Sequence, residues 1–507
     1  MANIKMSRKA PQKSRGKVST KGFFIADHYI LSLSVFLIAM FFFYFLNSKN
    51  LSTTAVQISF TAALIPLVGF AAYMASKGKL KVDTLPSFAI VLGVFLRVVY
   101  TVYTPFTMRQ HDVIGSSFNH IDYIKHMADT MSLPNVDYCQ AYHPPVHHVL
   151  SSIFYSFGKV FGLSEFNSLR LVQLFMVFLS CMTLILVYKI FKQIRVSNTV
   201  ILAGVSIFAF FPYNIYFASF LNNDNTMYFF YTLSFYCLIR WIYNKNIKNM
   251  ALLSIAVSIT MLTKKNAVII FPIIIAAFIV VLIQNRKSYM SYLNQYSLFF
   301  AVSIPLSLSY PIRQYILYKQ SFFYAPGVDF DKYPNTLKTL FYIPLEGLIK
   351  KPFTEDPFSG KSELFSDYVL KSSLFGEWRF PGLETIATLL LFSVIIIFVI
   401  IAIYIILENK NIFKGYGYLF VLNLILPYAL LFQSRLSNPV VCAQNFRYAA
   451  LMLISVAYFY GKAVERFSHT KLKFLNHVMA ACTIAFCLLS TVFILQIGAA
   501  PADAYNY

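Results

Sequence analysis

Apolar runs long enough to cross a hydrocarbon layer of about 30 Å, about 20 residues each, recur along the chain. They lie at 23–47, 53–76, 85–104, 168–193, 199–219, 226–243, 296–318, 384–407, 415–433, 447–463 and 475–498. Two shorter runs, 249–263 and 267–284, flank Thr263-Lys264-Lys265-Asn266 and read as a hairpin with its tip facing outward. The pattern predicts an all-α polytopic membrane protein of about 13 transmembrane helices. Two polar stretches, 105–167 and 319–383, are too long for bundle connectors, which are usually about 2–8 residues. In the first, Ile121, Ile124, Met127 and Ala128 alternate with Asp122, Lys125 and Asp129 at helical period, so Phe118 to Met131 reads as a helix lying on the membrane surface. Pro144-Pro145 then opens a second surface helix over Val146 to Phe161.

Composition agrees with this class and removes others. Hydrophobic residues make up 58% of the 507 and charged residues 12%, against about 45–50% and about 25% in soluble domains. A soluble nucleic-acid binder, a secreted disulfide scaffold and a disordered chain are thereby excluded. The net charge of +23 changes the picture only through its location. Segments 1–22, 77–81, 189–195, 240–248, 286–287, 410–414 and 462–473 hold 24 of the 43 basic residues against one acid, Glu465, and so account for all of it. Basic loops between apolar runs mark the cytoplasmic side, which puts the amino terminus in the cytoplasm and the carboxyl terminus outside, in a multi-pass plasma (inner) membrane protein. The organisation expected is a basic cytoplasmic tail (1–22), two extra amino-terminal spans (23–84), a transmembrane core (85–318) containing the first outer loop (105–167), a second outer loop (319–383) and carboxyl-terminal spans (384–507). The polar, basic start carries no cleavable signal pattern. Of six cysteines, Cys139 and Cys442 fall in outer segments, where a bridge between them is an open expectation.

Candidate chemistry gathers at the outer face. Sixteen of 20 acids lie away from the cytoplasmic flanks, and six of nine histidines, His111, His120, His126, His143, His147 and His148, fall within 38 residues of the first outer loop. Arg97 is the one clear charge inside a span, whereas a transporter is expected to carry ionisable groups near the midplane. Asp112, at the mouth of a span beside His111, suits a general base toward a hydroxyl, or is a solvated loop acid. His143 and His147 offer two imidazoles that Asp112 or His111 would complete into a metal site, although the spacing matches no closed zinc pattern. No cofactor is required by the sequence, and a divalent metal is held open. Asn222-Asn223-Asp224-Asn225 reads as an outer turn or as a holder of sugar hydroxyls. Lys264, Lys265 and Arg447 read either as snorkelling anchors or as ligands of a lipid-linked phosphate. Tyr368 to Trp378 reads as a surface or re-entrant cap over the site, or as an interfacial anchor.

In their order, His111-Asp112, His120 and Tyr123, Tyr142-His143-Pro144-Pro145, Asn222-Asn223-Asp224, Leu262-Thr263-Lys264, Lys371 to Glu377 and Asn445-Phe446-Arg447-Tyr448 resemble the C-superfamily of polyprenyl-phosphate-sugar-dependent glycosyltransferases. The likeness is to the protein O-mannosyltransferase and aminoarabinose transferase branches. It implies a membrane enzyme that moves a sugar from a polyprenyl-phosphate donor to a hydroxyl or phosphate acceptor at the outer face, with inversion. It also implies a catalytic Asp in the first outer loop. The acceptor class, whether lipid, polysaccharide or protein, stays open. Many relatives have an Asp-Glu pair where this chain has Asn119-His120, which leaves Asp112 and Asp122 both candidates for the base. His111, His120, Tyr142, His143, Asn223, Asp224, Lys264, Lys265 and Arg447 are the expected substrate contacts. The other reading is a transporter or flippase of a lipid-linked sugar.

Overall fold

A computed structural model describes residues 53–113, 119–135, 139–322, 324, 332–354, 363–469 and 474–497. Among the described residues the chain is helical, without strands. The expected span at 23–47 lies outside them. The helices are α1 (Thr53–Ser76), α2 (Leu85–Tyr103), α3 (His120–Thr130), α4 (Val146–Val160), α5 (Glu165–Gln193), α6 (Asn198–Phe210), α7 (Pro212–Tyr216), α8 (Asn223–Tyr243) and α9 (Ile247–Met261). There follow α10 (Ile270–Gln284), α11 (Tyr289–Tyr318), α12 (Leu337–Phe341), α13 (Leu345–Lys350), α14 (Phe365–Phe375), α15 (Glu384–Glu408), α16 (Gly417–Ser437), α17 (Leu453–Ser468) and α18 (Phe474–Gln496). Each apolar run within the described residues thus falls on a helix or on consecutive helical segments.

Among the described residues, six helical segments suffice by length and apolarity to cross a membrane: Leu85–Val102, Glu165–Gln193, Lys265–Gln284, Glu384–Phe413, Gly417–Ser437 and Phe474–Gln496. The run at 199–219 adds a seventh if its two halves, bent by 61°, form one span. The expected count of 13 therefore exceeds what these helices support individually. Residues 249–263 form only the 15-residue α9. The run at 447–463 opens in 3₁₀ turns before the 16-residue α17 begins.

The bend at 211–212 has a local cause that matters for the site. Pro212 has no amide hydrogen to continue α6, and Phe211 before it is extended. The Asn214 side-chain amide donates to the freed Phe208 carbonyl at 3.0 Å. The chain then emerges at Ser219 to Leu221, beside the first outer loop. There Gln110 accepts from the Leu221 amide (2.9 Å) and donates to the Ser219 carbonyl (3.1 Å).

Close helix approaches use small residues, as membrane interiors favour. A Cβ on Gly204 of α6 would lie 2.6 Å from the Ala457 carbonyl of α17. Arg97, fully buried in α2, donates to Ser180 (3.0 Å) and to the carbonyls of Gly93 (2.8 Å) and Ala209 (3.0 Å). These partners are neutral, and they bind α2 to α5 and α6 through one guanidinium.

The two amphipathic outer segments become α3 and α4, packed against each other. Asn119 caps α3, its side chain accepting from the Asp122 amide at 2.8 Å. α4 leaves Ile153, Phe154, Phe157 and Val160 exposed, as expected of a helix that would rest on a membrane surface. In the second outer loop, the cap expected over Tyr368 to Trp378 is largely α14, whose Tyr368, Lys371, Ser372 and Phe375 are buried. Cys139 is buried with a free thiol, and the side chain of Cys442 lies outside the described residues.

Candidate active site

The ends of several helices and the segments 105–167 and 319–383 converge on one cluster of charge. Its first member, Asp112, sits at φ +57°, in the left-handed region that Asp tolerates better than most residues. The Asp112 carbonyl accepts from the His120 amide at 2.9 Å, which ties this turn to the start of α3. The carboxylate lies 3.2 Å from Arg447 Nη1 and remains 49% exposed, while Arg447 is buried. The carboxylate thus meets a buried cation on one side and stays open on the other.

Arg447 is placed by a short irregular segment between α16 and α17. Asn445 caps the 3₁₀ turn at Phe446–Tyr448, its side chain accepting from the Arg447 amide at 2.8 Å. The Ser372 hydroxyl accepts from the Phe446 amide at 3.1 Å, so α14 braces the same turn. Arg447 Nη2 donates to the Tyr448 hydroxyl at 2.8 Å, and Lys264 stands 5.4 Å from the centre of the Tyr448 ring.

Asp224 and Lys264 form the second charged pair, in direct contact and almost fully buried. Asp224 sits in the first turn of α8, capped by Asn222 at 3.2 Å. Lys264 follows α9 at the tip of the hairpin, and the Leu262 carbonyl there accepts from the Val146 amide (3.0 Å), joining this tip to the start of α4. Burial alone would raise the Asp224 carboxyl, but Lys264 and Arg447 hold it below the usual range. Beside it, among the described residues, Asn223 Oδ1 and Asn222 Nδ2 are buried without a hydrogen-bond partner. Uncompensated buried amides are expensive and mark places where a bound polar molecule would complete the bonding. Lys265, by contrast, turns toward the second outer loop, its ammonium 3.4 Å from the Tyr324 carbonyl.

Glu377 is the third carboxylate, 3.2 Å from His111 Nδ1. It also accepts from the Asn445 amide (2.6 Å) and from the Tyr368 hydroxyl (3.1 Å). Burial would raise its pKa, but His111, Arg447 and the Asn445 bond together bring it down to about 2. A depressed carboxylate contributes stability that is present above its unfolded value, 4.5, and is lost as pH falls toward 2. Glu377→Gln is therefore expected to cost on the order of 3 kcal/mol at neutral pH and to flatten the loss of melting temperature between about pH 5 and 2. Thermal unfolding in detergent across that range checks this; a variant with the wild-type acid profile shows that the Glu377 charge does not bind the two outer loops together.

Asp122, the second carboxylate considered as base, is occupied otherwise. Its Oδ2 accepts from the Asn119 amide at 2.7 Å, within the cap of α3. Tyr142 and His143 lie against each other at 4.2 Å between ring centres, and burial pushes the Tyr142 hydroxyl pKa up.

The histidines gather differently from the pairing read in the sequence. Ligand nitrogens of His120, His147 and His148 lie within 4.8 Å of one another. His143 is not in this trio, although its ring is nearly parallel to that of His120 at 5.8 Å. Asp112 and His111 face Arg447 and Glu377 instead. His147 and His148 sit on the first turn of α4 and His120 begins α3, so the trio is a product of how these two helices pack.

Residues 137–317 match the family model described as dolichyl-phosphate-mannose-protein mannosyltransferase. The resemblance carried by the motifs to polyprenyl-phosphate-sugar-dependent glycosyltransferases is met over this segment. It includes Tyr142, His143, Asn223, Asp224, Lys264 and Lys265, while Asp112 and Arg447 lie outside it. A search of curated proteins found no match. Among solved structures, the archaeal oligosaccharyltransferase AglB from Archaeoglobus fulgidus, in complex with an inhibitory peptide and a dolichol-phosphate, aligns over 82% of this chain and 56% of its own, at 11% identity and TM-score 0.47. ArnT from Cupriavidus metallidurans bound to undecaprenyl phosphate aligns over 81% and 77%, at 9% identity and TM-score 0.47. The chain thus spans little more than half the length of the archaeal enzyme.

Proposed function

We propose that this protein is a membrane glycosyltransferase that moves a sugar from a polyprenyl-phosphate donor to a hydroxyl acceptor. The family match over 137–317 supports the class. The single observation that carries the chemistry is the half-exposed Asp112 carboxylate against buried Arg447, which lies in turn within the field of Asp224 and Glu377.

In this reading the acceptor hydroxyl gives its proton to Asp112 as its oxygen attacks the anomeric carbon. The bond from that carbon to the phosphate oxygen breaks, and its electron pair leaves with the polyprenyl phosphate. Attack opposite the leaving group inverts the anomeric centre. The departing phosphate gains charge, and preorganised cations that meet developing charge are usually the largest catalytic term. Arg447 and Lys265 fill that role. A donor phosphate competes with Asp112 for Arg447 and so releases the carboxylate to act as base. Lys264 contributes through its pair with Asp224, which sets the amides of Asn222 and Asn223 toward the sugar hydroxyls. The outer face suits such a donor because nucleotide sugars are not supplied there, and the acceptor is a lipid, polysaccharide or protein hydroxyl, or a phosphate.

The test is transfer by purified protein reconstituted with a set of polyprenyl-phosphate sugars, read by mass spectrometry of envelope lipids, glycans and proteins with and without the gene product. Stoichiometric loss of sugar from the lipid onto an acceptor is expected. Movement of intact lipid-linked sugar between leaflets without transfer sinks the reading in favour of a flippase. The orientation proposed has its own check. A cysteine introduced at Lys338, in the second outer loop, should react with an impermeant maleimide in intact cells, and one at Lys192, in a basic segment, should not. The reverse labelling overturns it.

A further inference from the structure

The trio His120, His147 and His148 belongs to neither charged pair and takes no part in the chemistry proposed above. All three side chains are buried, at 2%, 0% and 0% exposure. Burial holds each imidazole well below its ordinary pKa, with His147 at about 3 and the neighbouring histidines adding to the depression for His120 and His148. The neutral form is the one that binds metals.

The hydrogen bonds leave the cluster unfinished. The Thr226 hydroxyl donates to Met176 Sδ at 3.7 Å, so its oxygen is left to accept from His147 Nδ1 at 2.8 Å. With the proton on Nδ1 in that bond, Nε2 carries the lone pair, and among the described residues it is buried with no hydrogen-bond partner. His120 Nδ1 and His148 Nε2 stand 2.9 Å apart and share a single proton between two acceptor atoms. Orientation of a ligating imidazole by a hydrogen bond at its other nitrogen is the usual second support of a metal site. Tyr123 stacks on His148 at 3.7 Å between ring centres, fixing that ring as well.

We propose that His120, His147 and His148 bind one late first-row divalent ion, Zn²⁺ by preference, at a site that clamps the start of α3 to the start of α4. Three imidazole nitrogens with the fourth position open to water or an anionic oxygen is an established zinc ligand set, and imidazole ligands select zinc and its neighbours over magnesium or calcium. Because all three ligands are neutral, the ion keeps its full double charge, and the open position therefore favours an anion. On binding, the proton between His120 and His148 moves to the other nitrogen of its own ring, so both ligate as neutral imidazoles.

The experiment is zinc content and zinc titration of the full-length protein, purified in detergent without chelator and then stripped. About one zinc per chain is expected by elemental mass spectrometry. Re-addition at roughly 100 times the dissociation constant should raise the melting temperature by several degrees. His147→Ala and His148→Ala should each lose the metal, and His126→Ala, on the outer side of α3, should retain it. Cobalt substitution of the wild-type protein should give the intense visible absorption of a four-coordinate site, so the proposal stays testable if the histidine variants do not fold. It is overturned by wild-type protein that takes up no zinc at micromolar free metal, by zinc retained in both His147→Ala and His148→Ala, or by bound metal that does not shift wild-type melting.

Discussion

Asp112→Asn is expected to lower sugar transfer from a polyprenyl-phosphate donor by about 10²–10⁴-fold, the usual loss of a general base, with expression and melting temperature close to wild type. The separation of rate from stability follows from the geometry. Asp112 is 49% exposed at 3.2 Å from Arg447, and a pair open to solvent on one side contributes about 0–1 kcal/mol. Arg447 keeps the Tyr448 hydroxyl as a partner when the charge is removed. Asp122→Asn has the opposite profile. Its carboxylate sits in the first turn of α3 and accepts from Asn119, so it should cost about 0.3–1 kcal/mol of helix stability and leave turnover within a few-fold. Steady-state transfer by the two purified variants decides the assignment. A dead Asp122→Asn enzyme moves the base to α3, and near-normal turnover in both removes the mechanism.

Lys264→Ala is expected to destabilise the protein by about 3–5 kcal/mol, because it strands the buried Asp224 carboxylate without its counter-ion. Read from the sequence, the two hairpin lysines are equivalent ligands for a phosphate. The structure separates them. Lys264 is committed to Asp224, and among the described residues Lys265 has only the Tyr324 carbonyl, at 3.4 Å. Lys265→Ala should therefore raise the apparent KM for the donor with little change in melting temperature. Replacing both members of the buried pair, Lys264→Met with Asp224→Leu, should recover most of the stability, since apolar groups of similar volume often substitute for a buried ion pair without net cost. It should not recover activity, because the polar anchoring beside Asn222 and Asn223 is gone. Unchanged melting in Lys264→Ala refutes the pair as a structural element, and an active double variant removes it from the function.

Much of the helical organisation is legible in the chain because one physical requirement dominates it. In hydrocarbon every backbone amide needs an internal partner, so long apolar stretches become helices wherever they occur. The expected run at 53–76 coincides with α1, 384–407 falls within α15, and the two amphipathic segments of the first outer loop become α3 and α4. Span number is less legible, since runs such as 249–263 and 447–463 are apolar enough to suggest a crossing but make only short helices. Hydropathy reports composition over a window, not whether a helix packs inside protein or faces lipid. The break at 211–212 was available in Pro212, but its 61° angle depends on the neighbours of α6.

For the site, residue type and order alone bring out the members: His111, Asp112, His143, Asp224, Lys264 and Arg447 are unusual polar groups in an apolar chain, and each needs a reason to be there. Glu377 and Ser372 could be read only as parts of one motif, without their partners, since the role of Ser372 is a single bond to the Phe446 amide. The partners were decided by tertiary structure. Asp112 and Arg447 are 335 positions apart, and Lys264 meets Asp224 rather than its chain neighbour Lys265 as a functional twin. The histidine trio replaces the His143–His147 pairing because helical geometry carries His143, before Pro144-Pro145, off the first turn of α4, while the packing of α3 brings His120 to it. Local sequence sets which atoms are charged or basic and which segments coil. Which of them pair depends on how helices distant in sequence pack, and that is a property of the whole bundle.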